Sequence, residues 1–452
     1  MKKPLILGLV GILAVGGCAA YFLARDTRPV LKVANWAEYI DGGDEDSELI
    51  REFEVWYEEK TGKKIRVEYC VADDNETLYN MIKMGDHFDL VCPSEYMLMK
   101  LGAENRLMKL PQEFFDTTNP DNYYAINVSP YINKILKNNY MTGEAENSTW
   151  SEYGAGYMWG TTGFVYNPEF VSKEDVSTWS VFTNPKYAKK ITAKNNIRDT
   201  YFVGLAMHYD NELKALKQTY LSSAKDEAAY KNYQSGLSQL MNDANEPTMN
   251  AVKKKLKAMT GNLYGFETDA GKNDMIAGKI NINYQWSGDA VYIMDYAQGD
   301  DEENPVTTPL YLNYCIPETA SNLWFDSWAL SKNCKDVTAA TMFINFLSMP
   351  ENATRNMEYI GYTSCIAGEY IFENYVKAYY EAEEDDETAQ TYDLSYYFGD
   401  GYAIQAPAEQ FDRQLFAQYP DEETLSRCVA MRYFTREENT RANMMWSDIT
   451  FL

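Results

Sequence analysis

An α/β protein of two lobes is predicted by three observations. The chain has 452 residues, more than one ordinary hydrophobic core organises and enough for two. Hydrophobic content of 45% beside 24% charged residues is the composition of a folded chain. Between residues 31 and 93, strand and helix signals alternate in the order β-α-β-α-β, which favours a parallel sheet with right-handed crossovers.

The first strand is the apolar run "LKVA", residues 31–34. From Glu48 to Lys60 the apolar residues Leu49, Ile50, Phe53, Trp56 and Tyr57 fall at helical spacing. Ser47 or Asp46 can cap that helix and Gly62 can end it. "KIRVEYCV" alternates Ile65, Val67, Tyr69 and Val71 as a strand does. A short helix follows from about Glu76 to Met84, closed by Gly85, and "FDLVCP" is the third strand, stopped by Pro93. In such sheets ligands bind beyond the carboxyl ends of the strands, near where strand order reverses. If the order is 2-1-3, "NWAEY" (residues 35–39) and "SEY" (residues 94–96) are neighbours on one rim.

A second set of signals begins near "GFVYNP", residues 163–168. It holds a long polar helical stretch from about Asn211 to Met259 and the strand "KININ". The strand "LWFDSWAL" and the helix "AATMFINFL" come next. The charge run "EAEEDDE", Glu381 to Glu387, reads as a solvated loop.

Charge excludes one class of partner. The balance of 41 Lys+Arg against 67 Asp+Glu gives −26, the opposite of the basic footprint that nucleic acid requires. Most of these acids belong to a solvated surface, and the remainder suit a small cationic ligand. At the N-terminus Lys2 and Lys3 precede an uncharged run from Pro4 to Ala24. Within it, Val15-Gly16-Gly17-Cys18 resembles a bacterial lipoprotein signal with Cys18 as the lipidated residue. The other reading is an uncleaved anchor helix, because "AAYFLA" prolongs the apolar run to about a bilayer's span. Lipidation is preferred, and both readings put the chain from residue 31 outside the cytoplasm, tethered to a membrane. Residues 1–30 are thus signal or anchor plus linker. Six further cysteines (Cys70, Cys92, Cys315, Cys334, Cys365 and Cys428) could pair or stay free. The absence of any C-x-x-C speaks against a zinc site.

Catalysis has little to draw on. With only His87 and His208, histidine-based triads are disfavoured, and neither a P-loop nor a dinucleotide fingerprint occurs. Carboxylates are plentiful, so a glycosidase stays open. The recurring pattern is aromatic plus carboxylate: Trp36-Ala37-Glu38-Tyr39, Ser94-Glu95-Tyr96, Trp286 with Asp289, and Trp324-Phe325-Asp326-Ser327-Trp328, with Tyr362 nearby in "IGY". Strand alternation puts Trp324, Asp326 and Trp328 on one face, and a buried unpaired carboxylate there would be costly. Aromatic faces attract cations by roughly 0.5–2 kcal/mol and carboxylates bind ammonium directly. An alkyl ammonium ligand uses both features and a sugar uses nearly the same set. The acidic bias tilts the balance modestly toward amines.

The order of these motifs resembles that of the bacterial spermidine/putrescine-binding proteins of ABC transporters, the PotD/PotF-like solute-binding family. The resemblance runs from about Leu31 to Ser364 through "VANWAEYI", "DNETLYNMI", "FDLVCPSEYMLMKL", "YMWGTTGFVYNP", "IRDTYFVGLAM", "INYQWSGDA", "LWFDSWAL" and "INFLSMPENATRNMEYIGYTS". It implies an α/β fold of the type II periplasmic-binding-protein kind, each lobe a mixed sheet flanked by helices and hinged around a ligand cleft. Crossings are implied near Trp159-Gly160, Trp324-Phe325 and Phe372, making one lobe of 31–159 with 325–372 and another of 160–324 with 373–452. By motif, Trp36 and Tyr39 would line the cleft with Glu38 approaching an amine, and Ser94 and Tyr96 would join from the next loop. Trp286 would stack on the alkyl chain and Asp289 would bind an amine, as in putrescine-type members. Trp324 and Asp326 would form the opposite wall, Asp199 a further acid, and Tyr362 a cap.

The implied function is capture of spermidine or putrescine by a monomeric, lipid-anchored receptor that delivers it to ABC permease subunits. It needs no cofactor or metal and performs no catalysis. Departures concern the substrate: Asn196 stands where members often carry an acid, and "CVAMRYF" offers no match to an expected polar contact. Stretches 211–260 and 373–418 are longer than usual. The same fold binding iron, thiamine or sugar, or serving as a polyamine sensor, is the alternative. The tyrosine pairs Tyr379-Tyr380 and Tyr396-Tyr397 are the only hint of iron.

Overall fold

The computed structural model describes residues 26–43, 47–268, 270–299 and 308–450; the leader with Cys18 and the alternative cap Asp46 lie outside the described residues. Thirteen strands are described, and eleven of them join in one sheet. In chain order they are β1 (Val30–Trp36), β2 (Arg66–Ala72), β3 (Leu90–Val91), β4 (Gly154–Tyr166), β5 (Ile191–Lys194), β6 (Gly265–Glu267) and β7 (Ile282–Trp286). Then come β8 (Asn313–Cys315), β9 (Ser321–Leu330), β10 (Thr363–Ser364), β11 (Gln390–Asp393), β12 (Ala403–Ala406) and β13 (Cys428–Val429).

The opening βαβαβ unit forms for the reasons legible in its residues. Ser47 Oγ accepts from the Ile50 amide at 3.3 Å, and Gly62, at φ 70°, ends the helix Glu48–Thr61 in the left-handed conformation. Leu49, Ile50, Phe53 and Tyr57 turn into the core. There Phe53 meets Phe343 of the helix Val337–Leu347 edge to face at 4.9 Å, a pairing that adds about 0.5–1.5 kcal/mol to simple burial. β1 pairs in parallel with both β2 and β3, so the order is indeed 2-1-3.

The sheet continues as β2-β1-β3-β9-β4-β7-β5-β6, with β10 and β8 also on β4 and β13 on β9. Its two halves meet along β4 and β9. The first half of β4 pairs with β9 and β10, and the second with β7 and β8. A second set of elements was expected to start near Gly163, yet β4 already begins at Gly154 and runs unbroken through both halves. All 13 of its residues are buried, and a strand covered on both faces carries no period-two signal.

The helical stretch expected from Asn211 to Met259 consists of three helices: Asp210–Leu221, Glu227–Met241 and Glu246–Thr260. Asp226 and Asn245 cap the second and third by accepting from the amides of Ala229 (2.8 Å) and Thr248 (2.9 Å). Among the described residues the six cysteines carry free thiols. The acidic run 381–387 is a largely exposed loop. No described helix is long and apolar enough to cross a membrane.

Candidate functional site

Sheet register assembles the site at the carboxyl ends of strands. β3 and β9 pair antiparallel as Leu90 with Leu330 and Val91 with Ala329. The same register carried past Pro93 sets Ser94 opposite Asp326, an isolated bridge. The Ser94 hydroxyl donates to Asp326 Oδ1 at 2.7 Å and is itself held by the Asn75 side chain at 2.9 Å.

β1 ends at Trp36, and the chain reverses through Glu38, whose φ of 53° is left-handed. This returns Tyr39 to the sheet, where the Tyr157 hydroxyl donates to its carbonyl at 2.8 Å. The Trp36 indole N–H and the Tyr39 hydroxyl then both donate to Asp326 Oδ2, at 3.2 and 2.9 Å. Asp326 is 5% exposed. Burial pushes its carboxyl up to about 6 although the three donors of Ser94, Tyr39 and Trp36 pull the other way. Among the described residues no lysine or arginine pairs with it.

Aromatic rings stand in a column beside this acid. Trp324 meets Tyr362 at 5.2 Å, Tyr362 meets Tyr39 at 5.7 Å, Tyr39 meets Tyr157 at 5.6 Å, and Tyr157 meets Trp328 at 4.9 Å. Trp328 thus closes the buried end of the column. Two glycines permit the packing. A Cβ on Gly160 would lie 2.7 Å from Trp324 Cζ2, and one on Gly288 would lie 2.0 Å from the Tyr362 ring.

The other side of the site comes from β5, β7 and the helices that follow them. β4 registers Gly160 with Trp324 of β9 and Thr162 with Trp286 of β7. The helix Ser287–Gln298 starts directly after Trp286 and carries Asp289 in its first turn. The helix Ile197–His208 follows β5, capped by the Asn196 side chain, with buried Asp199 in its first turn. Asp199 accepts from the Trp286 indole, and burial, opposed by nearby Lys194, pushes its carboxyl up to about 6.

The structure therefore gathers Trp36, Tyr39, Ser94, Trp324, Asp326 and Tyr362 into one cluster, and Trp286, Asp199 and Asp289 into a second. Glu38 does not join Asp326; it is exposed at the reversal. Tyr96 is buried and donates to Glu76 at 3.2 Å, beneath the Arg198 guanidinium, which lies 5.0 Å from its ring centre. Glu95 is buried as well: its oxygens take the amides of Phe325 (3.1 Å) and Met431 (3.2 Å). These two bonds fasten β9 to the C-terminal segment, and burial holds the carboxyl near 8. Of the tyrosine pairs, Tyr380 and Tyr397 are buried and bonded within the protein: Tyr380 donates to Gln418 at 2.8 Å, and Tyr397 accepts from the Trp159 indole at 3.1 Å.

Sequence reasoning missed Asn75, Lys194, Arg198 and Lys272. Asn75 directly follows a helix cap, Asp74, and Lys194 is the only charge in β5, a position that marks it as more than a surface lysine.

The family model for bacterial extracellular solute-binding proteins matches residues 49–378. The chain is 26% identical over 356 residues to the spermidine/putrescine-binding periplasmic protein of Salmonella typhimurium, covering 78% of this chain and 81% of that protein. It is 24% identical over 367 residues to the putrescine-binding periplasmic protein PotF of Escherichia coli, covering 80% and 82%. The solved structure of the spermidine/putrescine ABC transporter substrate-binding protein PotD from Streptococcus pneumoniae superposes with a TM-score of 0.59 at 24% identity, over 94% of this chain and 99% of that one. The fold is thereby the two-lobed, type II binding-protein fold.

Proposed function

We propose that this chain, which belongs to the bacterial extracellular solute-binding proteins, captures a polyamine such as putrescine or spermidine outside the cytoplasm and delivers it to a membrane ABC permease. One observation carries the reading: Asp326, a buried carboxylate, receives three uncharged donors and no cation of the described protein. A carboxylate offers about four acceptor positions, so one remains for a ligand ammonium. The ring column beside it suits methylenes. The relatives' names point to the same ligand class.

Lobes of 31–159 with 325–372 and 160–324 with 373–452 would close on the ligand about β4, β9 and the segment near Phe372. A π-helical turn at Phe372–Val376 supports the third crossing, since such turns frequently mark functional sites in helices. Lipid attachment at Cys18, a monomeric state and the absence of catalysis complete the reading. Incorporation of labelled lipid that vanishes in Cys18→Ala tests the anchor.

Calorimetric titration with putrescine, spermidine and spermine tests the function. One of them should bind and, at 100 times Kd, raise stability by about 2.7 kcal/mol. Flat heats from all three with folded protein would dismiss the reading.

A further inference from the structure

Asp289 is already occupied by the protein itself. Its Oδ2 lies 3.6 Å from Lys194 Nζ and its Oδ1 lies 3.4 Å from Lys272 Nζ. Lys194 ends β5, its side chain is 1% exposed, and Nζ sits 3.6 Å from the centre of the Trp286 ring. An indole face with a carboxylate beside it is what a ligand ammonium would use, and here a lysine uses it. Lys194 Nζ makes no hydrogen bond among the described residues, so ring and charge alone hold it there.

The surrounding acids are largely answered by resident cations: Asp199, Asp289, Glu267 and Glu76 act on this region together with Lys194, Arg198 and Lys272. Of the acids gathered in the two clusters, Asp326 has no cation beside it, Asp199 accepts from the Trp286 indole and forms no salt bridge among the described residues, and Asp289 is shared by two lysines.

We propose that Lys194 is a resident ammonium filling the Trp286–Asp289 amine position, so that the cleft takes a ligand with two ammonium groups and discriminates against one with three. The inference rests on the polyamine reading and narrows it to a diamine. A third ammonium would have to lie close to Lys194, where like charges in a dry setting repel strongly. Specificity then comes from a repulsive element as much as from attractive ones.

The test is calorimetric titration of the full chain with putrescine and spermidine, for wild type, Lys194→Met and Lys194→Arg. Wild type should bind putrescine at least about tenfold more tightly than spermidine. Lys194→Met should move that ratio at least about tenfold toward spermidine, whereas Lys194→Arg, which keeps the charge, should preserve the diamine preference. A ratio unchanged in Lys194→Met overturns the inference. Should melting show the methionine variant unfolded, Lys194→Gln carries the same expectation. Wild type that binds both amines equally overturns only this inference. Flat heats from both amines remove the polyamine reading and this inference together.

Discussion

Replacing Asp326 by asparagine should weaken ligand binding severely and leave the empty protein at least as stable. The two effects have separate origins. Burial raises the carboxyl from 3.8 to about 6, so between those values the native chain keeps a proton that the unfolded chain has lost. The stability this group contributes is present below pH 3.8 and is lost as pH rises through 6. At neutral pH the ionised side chain therefore costs about 3 kcal/mol relative to its neutral form. Asparagine removes the charge and keeps the shape. Its oxygen can take the Oδ2 position facing Trp36 and Tyr39, while its NH2 group donates to Ser94 Oγ in place of Oδ1.

Ligand binding loses an ammonium–carboxylate attraction, about 4 kcal/mol for charges 4 Å apart at an effective dielectric near 20, or roughly a thousandfold in Kd. Calorimetry with putrescine and spermidine reads the affinity, and thermal melting without ligand reads the stability. The expected pair is a loss of at least about a hundredfold with a melting midpoint unchanged or raised by a few degrees. Affinity within threefold of wild type, or a midpoint well below it, refutes the assignment of Asp326 as the uncompensated ligand acid.

The same carboxyls set a pH dependence of opposite sign for the two observables. Burial raises Asp326 and Asp199 to about 6 and Glu95 to about 8, so the empty protein should melt higher at pH 5 than at pH 7.5, while affinity falls below pH 6 as the ligand acids protonate. A stability maximum near pH 8 would contradict this. Glu95→Ala strands the amides of Phe325 and Met431; denaturant titration should show a loss of about 2–4 kcal/mol. Gly288→Ala puts a methyl 2.0 Å from the Tyr362 ring, and the displaced ring should weaken binding at least about tenfold and cost about 1–3 kcal/mol. A variant with wild-type affinity would show that Tyr362 is not part of the wall.

Residues whose partners are local were legible, and residues whose partners come from distant register were not. Ser47, Gly62 and the 3.6-residue spacing after Glu48 announced the first helix because its caps and its buried stripe lie within one segment. Strand order 2-1-3, only a condition in the sequence, is set by the parallel pairing of β1 with both β2 and β3. The start of β4 was not legible because burial on both faces erases alternation; the helical character of 211–259 was legible, and its division into three helices rests on the caps Asp226 and Asn245. Of the site, the aromatic and acidic residues stood out by composition. What they face did not: Asp289 reads in sequence as a ligand acid, and only the register of β5 on β7, Ile191 with Ile282 and Thr192 with Asn283, brings Lys194 beside Trp286 and its helix.

That contrast ties the fold to its chemistry. Both acids sit in clusters built by β4, whose first half supports Asp326 through Met158 and whose second half supports Trp286 through Thr162. Met158 and Thr162 lie four positions apart on one strand, so in the proposed reading the uncompensated acid and the lysine-filled acid are two ends of one ligand track. The proposed cleft is asymmetric: Asp326 stands at one end with no cation beside it, and at the other Asp199 stands next to an acid, Asp289, that Lys194 already fills. The sign of charge at each end, more than the aromatic walls between them, decides how many ammonium groups a ligand can bring.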